Sequence, residues 1–203
     1  MAKLINSVPD ISGKRILDIA TGKAVTPSAL MKANVNVQKI IGLDITYRML
    51  ELGKQKISAN GNDKKINFLC GSAMEIPIQD DYFDIVICGL ATHHMDVRVL
   101  LTEMKRVLKN KGHLSIADVG GSRKWKHPVV RFLIKTGAFL YFLVVENLAR
   151  AWAEASALPN IHTSEEWHVI LNKLGFIDIE INELQSKKFW TPNPILIQAN
   201  KPT

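Results

Sequence analysis

The chain has 203 residues, of which 47% are hydrophobic and 22% are charged. This composition is typical of one globular domain with a single core, and it excludes a disordered or low-complexity chain. The residues from Met1 to Asp10 contain no long apolar stretch, so we expect no signal peptide. The formal net charge of +7 is compatible with nucleic acid or an anionic membrane as a partner, but lysines spread over a solvated surface explain it equally well.

The two cysteines, Cys70 and Cys88, lie in apolar, strand-like runs. We therefore expect two buried, reduced thiols and a cytoplasmic location rather than a disulfide. The sequence holds no group of cysteines and histidines with the spacing of a zinc site, and we predict no bound metal.

The first half of the chain alternates apolar runs with helix signals. Thr26 and Pro27 predict a helix N-terminus with Thr26 as the N-cap. Thr46 predicts the cap of a second helix, which we expect to end at Asn60 and Gly61. The predicted strands of this half are residues 15–20, 39–45, 66–70 and 84–89.

The second half continues this alternation. Apolar residues from Val97 to Leu108 recur at helical spacing, and the N-K-G turn that follows predicts the end of that helix. Thr163 and Glu166 have the spacing of a capping box, which predicts a helix that closes at Gly175. The predicted strands of this half are residues 113–119, 176–184 and 194–199.

Continuous apolar strands that alternate with amphipathic helices indicate a parallel sheet covered by helices on both faces. The last two strands follow each other without a helix, so we expect an antiparallel strand at the sheet edge. The sequence therefore predicts one α/β domain over residues 1–203, built on a Rossmann-like, seven-stranded, mostly parallel sheet.

Ligands of open α/β sheets bind beyond the carboxyl ends of the strands. After the first predicted strand, residues 18–24 read D-I-A-T-G-K-A, and their small side chains let backbone amides approach a ligand. Asp44 ends the second strand, where a carboxylate can accept hydrogen bonds from both hydroxyls of a ribose. An NAD site would have glycine at positions 20, 22 and 25, where this chain has Ala20, Gly22 and Val25. Because only Gly22 matches, the sequence disfavours a nicotinamide cofactor.

Six segments share their order and spacing with one known family. They read L-D-I-A-T-G-K-A, G-L-D-I-T, G-S-A-M-E-I-P-I, D-D-Y-F-D-I-V-I-C-G-L-A-T-H-H-M-D, E-M-K-R-V-L-K-N-K-G-H-L-S-I-A-D and S-E-E-W-H-V-I-L-N-K-L-G-F-I-D-I-E. From about Lys14 onwards the chain resembles the class I S-adenosylmethionine-dependent methyltransferases, in particular the branch with the C-methyltransferases of ubiquinone and menaquinone biosynthesis. One such match is weak evidence, whereas six in order are specific.

The resemblance implies S-adenosylmethionine as the cofactor and a small-molecule acceptor that we expect to be hydrophobic or aromatic. It implies a cofactor site along the ends of the first, second and fourth strands. The implied cofactor-binding residues are Asp18, Ala20, Thr21, Gly22, Asp44, Ile45, Ser72, Ala73, Met74, Gly89 and Leu90. A second interpretation of Asp18 stays open, in which it is a buried structural acid that binds loop amides.

Three positions depart from the family pattern. Ala20 and Ala24 stand where the family usually has glycine, and Ser72 stands where it usually has an acid. These departures motivate one alternative, a non-catalytic binding or scaffold protein on the same fold. A nucleic-acid methyltransferase is the other, but the fourth strand ends in C-G-L-A-T-H-H rather than N-P-P-Y, and T-P-N-P at residues 191–194 precedes the last strand.

His93 and His94 follow the fourth strand, at the implied rim of the methyl-transfer site. Methyl transfer requires mainly alignment and exclusion of water, and a base helps when the acceptor is protonated. A side chain that titrates near neutral pH suits this role, so His93 is the first candidate base and His94 the second. The alternative is that one histidine faces the core and the other the solvent. We expect Asp96 to be an acid of the first turn of the next helix.

The segment 122–158 lies where this class often inserts a helical lid over the substrate. Lys124, His127, Arg131 and Lys135 share one helical face by their spacing. The following run from Gly137 to Val145 is apolar on every side and, taken alone, is too short to span a membrane. It is either internal packing or partial cover for an apolar substrate or a membrane surface, so a weak membrane contact through 122–145 is one expectation. The aromatic residues of this run are Phe139, Tyr141 and Phe142.

Overall fold

The computed structural model describes residues 4, 8–33, 36–59, 64–122, 125, 127–186 and 193–203. Seven strands in these residues form one sheet, namely β1 (Arg15–Ile19), β2 (Lys39–Asp44), β3 (Ile66–Cys70), β4 (Phe83–Gly89), β5 (Leu108–Val119), β6 (Ile177–Glu183) and β7 (Pro194–Asn200). The described helices are α1 (Val25–Ala33), α2 (Tyr47–Ala59), α3 (Val97–Val107), α4 (Pro128–Val145), α5 (Leu148–Ala157) and α6 (Ser164–Lys173). Short 3₁₀ helices lie at Thr92–His94 and Leu158–Asn160.

The strand order is β3-β2-β1-β4-β5-β7-β6. The first five strands pair in parallel, whereas β7 runs antiparallel to both β5 and β6. A parallel connection needs a crossover of a dozen residues or more, usually a helix, and no helix is described between β6 and β7. The predicted mixed sheet is confirmed, with the reversed strand lying one position in from the edge.

The central strands are largely apolar and buried because helices cover both of their faces. Leu17 and Val86 belong to a buried cluster that α3 and α6 complete with side chains such as Met104 and Trp167. On the other face, Ile16 and its neighbours pack with side chains of α1 and α2. The prediction of a doubly covered parallel sheet is therefore confirmed.

Two helix boundaries can be compared with their sequence signals. Thr26 is not the N-cap of α1, because the helix begins at Val25 and the Ala24 carbonyl accepts a hydrogen bond from the Ser28 amide at 3.1 Å. The predicted end of α2 at residues 60 and 61 lies outside the described residues. The capping box is confirmed, since the Thr163 hydroxyl accepts from the Glu166 amide at 3.3 Å and the Glu166 carboxylate accepts from the Thr163 amide at 2.9 Å.

Strand β5 begins earlier than the predicted His113. It pairs Leu108 with Phe83 and then, after a register shift, His113 with Ile85. The N-K-G turn therefore lies inside a bulged strand, and Lys111 adopts a left-handed φ of 60°. A Cβ atom at Gly112 would lie 2.7 Å from the carbonyl oxygen of Lys109, so this bulge requires glycine.

Both cysteines are free thiols. Cys88 is buried as predicted, but the prediction of a second buried thiol is wrong, because Cys70 is exposed on the edge strand β3. Two strands separate β3 from β4, which puts the two thiols roughly 14 Å apart at the usual strand spacing. A disulfide between them would require the sheet to open.

After β5 the chain forms two helices, α4 and α5, which pack against each other and are joined by Glu146 and Asn147. We call this unit, residues 128–157, the hairpin. The apolar run at 137–145 is the second half of an 18-residue helix that begins at Pro128. The length of the run alone therefore underestimates the length of the helix. By length and composition alone, α4 is the one helix in the described part of the chain that could cross a membrane, and none of its residues is buried.

Candidate active site

The carboxyl ends of β1, β2, β4 and β5 meet at one edge of the sheet. The register pairs Ile19 with Leu43 on one side and with Cys88 on the other, and it pairs Cys88 with Ile116. The loops that follow these four strands are therefore neighbours. The strand order reverses between β1 and β4, which is the place where ligands of such sheets bind.

The loop after β1 has a backbone suited to glycine at three alternate positions. Ala20, Gly22 and Ala24 have φ values of 53°, 53° and 55°, all in the left-handed region. A left-handed backbone costs a residue with a side chain roughly 1–2 kcal/mol. The loop therefore has a backbone that favours glycine at three alternate positions, with alanine at two of them. Leu90, after β4, also has a left-handed φ of 56°, and its side chain is exposed.

Asp44 joins the loops that follow β1 and β2. Its buried carboxylate accepts hydrogen bonds from the Gly22 amide and the Thr46 amide, each at 2.8 Å. Each carboxylate oxygen has a second lone pair, so both oxygens can still accept from a ribose hydroxyl. Ile45 beside it is 75% exposed, which leaves an apolar surface next to the acid.

Asp18 is buried below the same loop. Its Oδ2 atom has no hydrogen-bond partner among the described residues. Burial raises the pKa of Asp18 to about 7, although the neighbouring hydroxyls of Thr21 and Thr26 act in the opposite direction and the charge of Asp44 adds to the rise. The amides of Thr21, Gly22 and Ala24 bond to other acceptors. Asp18 thus has a free acceptor for a ligand or a proton.

The loop after β3 contains the partly buried residues Ser72, Ala73 and Met74. The Ser72 hydroxyl accepts a hydrogen bond from the Met74 amide at 3.1 Å, and the Gly71 amide donates to the Asp44 carbonyl at 3.1 Å. Hydrogen bonds therefore hold this loop, which contains three of the implied cofactor-binding residues, at the end of β2.

Two charged side chains of α3 hold the next part of this loop. Glu103 accepts a hydrogen bond from the Ile76 amide at 2.8 Å. Arg106 donates to the carbonyls of Ile76 and Ile78, each at 2.8 Å, and forms an ion pair with Glu103 at 2.7 Å. This support could not be predicted from the sequence, because helical spacing alone assigns both residues to a solvated face.

His93 is buried and its imidazole is held by a carboxylate. Its Nδ1 atom lies 2.6 Å from Asp118 Oδ1, and Asp118 also accepts from the His93 amide at 3.2 Å and from the Thr92 hydroxyl. Burial acts to lower the pKa of His93, but the hydrogen bond and charge of Asp118, with the charge of Glu154, raise it overall. Burial acts to raise the pKa of Asp118, but its hydrogen bonds and the His93 charge lower it overall.

His94 is more exposed and reaches the hairpin. Its Nε2 atom lies 3.6 Å from Glu154 Oε1, while His93 Nε2 lies 3.8 Å from Glu154 Oε2. Burial and the neighbouring His93 lower the pKa of His94. The two histidines and Glu154 bring metal-ligand atoms within 4.8 Å of one another, but the Arg150 guanidinium, 2.7 Å from Glu154, already supplies a positive charge there.

Both histidines were predicted from the sequence, but their carboxylate partners Asp118 and Glu154 were not. Asp118 lies near the carboxyl end of β5, so the same rule that identified Asp44 could have found it. No sequence pattern indicated a role for Glu154, because α5 approaches the histidines only in the folded chain. Asp96 is the N-cap of α3, with Oδ1 accepting from the amides of Arg98 and Val99. The alternative, in which one histidine faces the core and the other the solvent, agrees with the burial of His93 and the greater exposure of His94. It does not account for the hydrogen bond between His93 and Asp118.

These features fit a cofactor that carries an adenosine and positive charges. Asp44 offers acceptors to a ribose, the left-handed loop lies in hydrogen-bond contact with this carboxylate through the Gly22 amide, and Asp18 offers a buried acceptor below the same loop. Bound there, S-adenosylmethionine would be held by these residues and by the loop at 71–78.

Comparisons with known proteins show the family and the fold. The family described as "Methyltransferase domain" matches residues 17–116. The demethylmenaquinone methyltransferase of Lactococcus lactis is 30% identical over 192 residues, which cover 88% of this chain and 72% of that protein. The crystal structure of YcgJ from Bacillus subtilis superposes with a TM-score of 0.73 at 21% identity, covering 100% of this chain and 97% of that one.

A second solved structure is the geranyl diphosphate C-methyltransferase from Streptomyces coelicolor, in complex with Mg²⁺, geranyl diphosphate and S-adenosyl-L-homocysteine. It superposes with a TM-score of 0.76 at 13% identity, covering 98% of this chain and 77% of that one. At such identities the solved structures show the fold, while the Lactococcus relative shows the family. The chain belongs to the class I S-adenosylmethionine-dependent methyltransferases, in the branch of the demethylmenaquinone methyltransferases, and S-adenosylmethionine is its cofactor.

Proposed function

We propose that this methyltransferase acts on a small, apolar aromatic acceptor whose ring carries an ionisable hydroxyl, such as the hydroquinone form of a demethylmenaquinone. The observation that carries the proposal is the pairing of His93 with Asp118 beside the cofactor loops. A buried histidine held by a carboxylate is suited to remove a proton from a weakly acidic group. The name of the Lactococcus relative supports the same class of acceptor.

His93 acts as the general base in this proposal. Asp118 holds the Nδ1 proton, so the Nε2 atom is free to accept the proton of the acceptor hydroxyl. The resulting imidazolium is stabilised by Asp118, and the acceptor becomes an anion whose ring carbon is more nucleophilic. When bound, S-adenosylmethionine would supply the electrophilic methyl group of its sulfonium and leave as S-adenosylhomocysteine. The methylated ring carbon then loses its hydrogen as a proton, which restores the aromatic ring. Glu154 Oε2 lies 3.8 Å from the Nε2 atom of His93, and the ring of His94 lies beside that of His93.

We also propose that the hairpin is the lid of the acceptor site. A cavity of about 110 Å³ lies at its base and is lined by Trp125, Arg131, Ile134 and Ile161, among others. Ligand pockets are usually several times larger, about 300–1,000 Å³, so an aromatic acceptor needs the hairpin to move. Glu154 ties the hairpin to both histidines, which supports a link between lid position and the base.

We further propose a cytoplasmic location. The two free thiols support it, because disulfides are rare in reducing compartments. Cys70 is exposed and unpaired with Cys88, and it would be open to oxidation in an oxidising compartment.

Transfer of a labelled methyl group to a naphthohydroquinone tests the proposed base. His93→Gln should lower kcat by about 10²–10⁴-fold, the usual contribution of a general base, with little change in the affinity for S-adenosylhomocysteine. His168→Gln, on the exposed surface of α6, is the matched control and should leave both quantities unchanged. A His93→Gln enzyme as fast as the parent would contradict the role of His93, and a parent that transfers no methyl to aromatic hydroxyl compounds would contradict the acceptor class.

A further inference from the structure

The outer face of α4 is an exposed apolar surface. Although most of its eighteen residues are apolar, none of them is buried. We call the exposed residues of one face the apolar stripe: Val129, Phe132, Leu133, Leu140, Leu143 and Val144. The other five residues lie 3, 4, 11, 14 and 15 positions after Val129. At 3.6 residues per turn, these positions all fall on the same side of the helix as Val129. Soluble proteins rarely leave a surface of this kind without a partner.

The opposite side of α4 faces the rest of the protein. Arg131 and Ile134 line the cavity that lies between the hairpin and residues 158–166. Phe139 contacts Trp152 of α5 with a ring separation of 6.0 Å. The stripe therefore points away from the domain, while Arg131 and Lys135 lie on the other side of the helix from it. This is the division of an amphipathic helix that lies in a membrane surface.

We propose that α4 lies in the plane of an anionic lipid bilayer, with the apolar stripe in the outer part of the acyl region. The positive net charge of the chain and the basic residues Arg131 and Lys135 complement such a surface. A helix is about 10–12 Å across, so these charges would stand within roughly one screening length of the lipid phosphates. A second copy of the chain would instead bring a like charge of +7 against the stripe. Trp152 and Tyr141 are exposed nearby, and such residues are enriched at membrane interfaces.

The hairpin excludes a transmembrane arrangement for α4. Its length of roughly 27 Å would match a bilayer core. However, α5 follows after two residues, and its Glu154 lies between His93, His94 and Arg150. α5 is roughly 15 Å long and carries charges, so it cannot cross back. If Glu154 keeps these contacts, both ends of α4 stay on one side of the membrane.

Vesicle flotation with the full chain tests this proposal without cofactor or acceptor, so its outcome is independent of the proposed acceptor chemistry. The parent should float with phosphatidylcholine vesicles that contain phosphatidylglycerol, and less so without this lipid or at high salt. Leu133→Ser combined with Leu140→Ser should weaken binding by about tenfold or more, because two large apolar side chains leave the stripe. Val99→Ser combined with Val169→Ser removes exposed apolar residues elsewhere and should bind like the parent.

The charged residues give a second comparison. Arg131→Gln combined with Lys135→Gln should lower binding and flatten its dependence on salt, whereas Lys54→Gln combined with Lys173→Gln should change both less. All the altered residues of these variants are exposed, so their melting temperatures should match that of the parent.

Three results would overturn the proposal. The parent could fail to float with anionic vesicles, or the stripe variant could float as well as the parent. The parent could also sediment as a dimer that the stripe variant converts to monomer without any vesicle binding, which would assign the stripe to a second copy. Quenching of Trp152 fluorescence by brominated lipids, with Trp152→Phe as the background, should be stronger for shallow than for deep bromine positions. Stronger quenching by deep bromines would contradict an in-plane helix.

Discussion

Ala20 has the backbone conformation of a glycine, with a φ of 53°. Ala20→Gly should therefore stabilise the protein by about 0.5–1 kcal/mol, because relief of left-handed strain exceeds the added freedom of the unfolded chain. Ala153→Gly, at an exposed position inside α5, should instead cost about 0.8–1 kcal/mol. Urea unfolding of both variants measures these changes. Equal destabilisation by the two glycines would contradict the strained loop.

We predict that Asp44 binds the ribose of the cofactor. Asp44→Ala should weaken S-adenosylhomocysteine binding by roughly 1–3 kcal/mol in calorimetry, since two hydrogen bonds to a charged acceptor are lost. Asp84→Ala is the matched control at the opposite end of the sheet, where the carboxylate accepts from the Arg15 amide and from Lys109. It should lower stability while leaving cofactor affinity unchanged. Unaltered affinity in Asp44→Ala would show that the ribose assignment is wrong.

At the scale of elements, the sequence predicted the central strands well because they are buried on both faces and consist mostly of apolar residues. Residues 18–24 and Asp44 lie at strand ends, as the sequence predicted, and their role in binding the cofactor stays a prediction that rests on the usual place of ligands in this architecture. The hydrogen bonds of His93 were not predictable, because Asp118 and Glu154 approach it only in the folded chain. The start of β5 was missed for a local reason, as N-K-G forms a bulge there rather than a turn between elements.

Arg106 of helix α3 supports the loop at 71–78, and its replacement should affect cofactor binding. Arg106→Ala removes the hydrogen bonds to the carbonyls of Ile76 and Ile78, so the loop at 71–78 should lose its fixed shape. S-adenosylhomocysteine should then bind about tenfold more weakly, with a lower melting temperature of the free protein. Arg98→Ala, at an exposed position on the same helix, should leave both values unchanged. If Arg106→Ala bound S-adenosylhomocysteine as tightly as the parent, the hydrogen bonds of Arg106 to the loop would have no role in cofactor binding.

At the scale of the whole molecule, Asp18 should make stability depend on pH. Its pKa is about 7 in the folded chain and near 3.8 when unfolded, so the protonated form favours folding. The contribution is complete below the unfolded pKa and is lost as the pH rises to about 7, at up to about 1.4 kcal/mol per pH unit. Asp18→Asn cannot ionise, so its free energy of unfolding should fall less than that of the parent between pH 4 and 7. Parallel curves for the two proteins would mean that Asp18 ionises normally.

The pH dependence of methyl transfer tests the central claim most directly, because it reports the protonation of the proposed base. His93 must be neutral to accept a proton, and Asp118 holds its pKa above the ordinary 6.5. With S-adenosylmethionine and a naphthohydroquinone, the rate of the parent should rise with pH around a midpoint above 6.5. In Asp118→Asn the midpoint should move to lower pH and the maximal rate should fall, since the imidazolium loses its carboxylate. A midpoint that is the same in both proteins, or a rate that does not change with pH, would contradict His93 as the base.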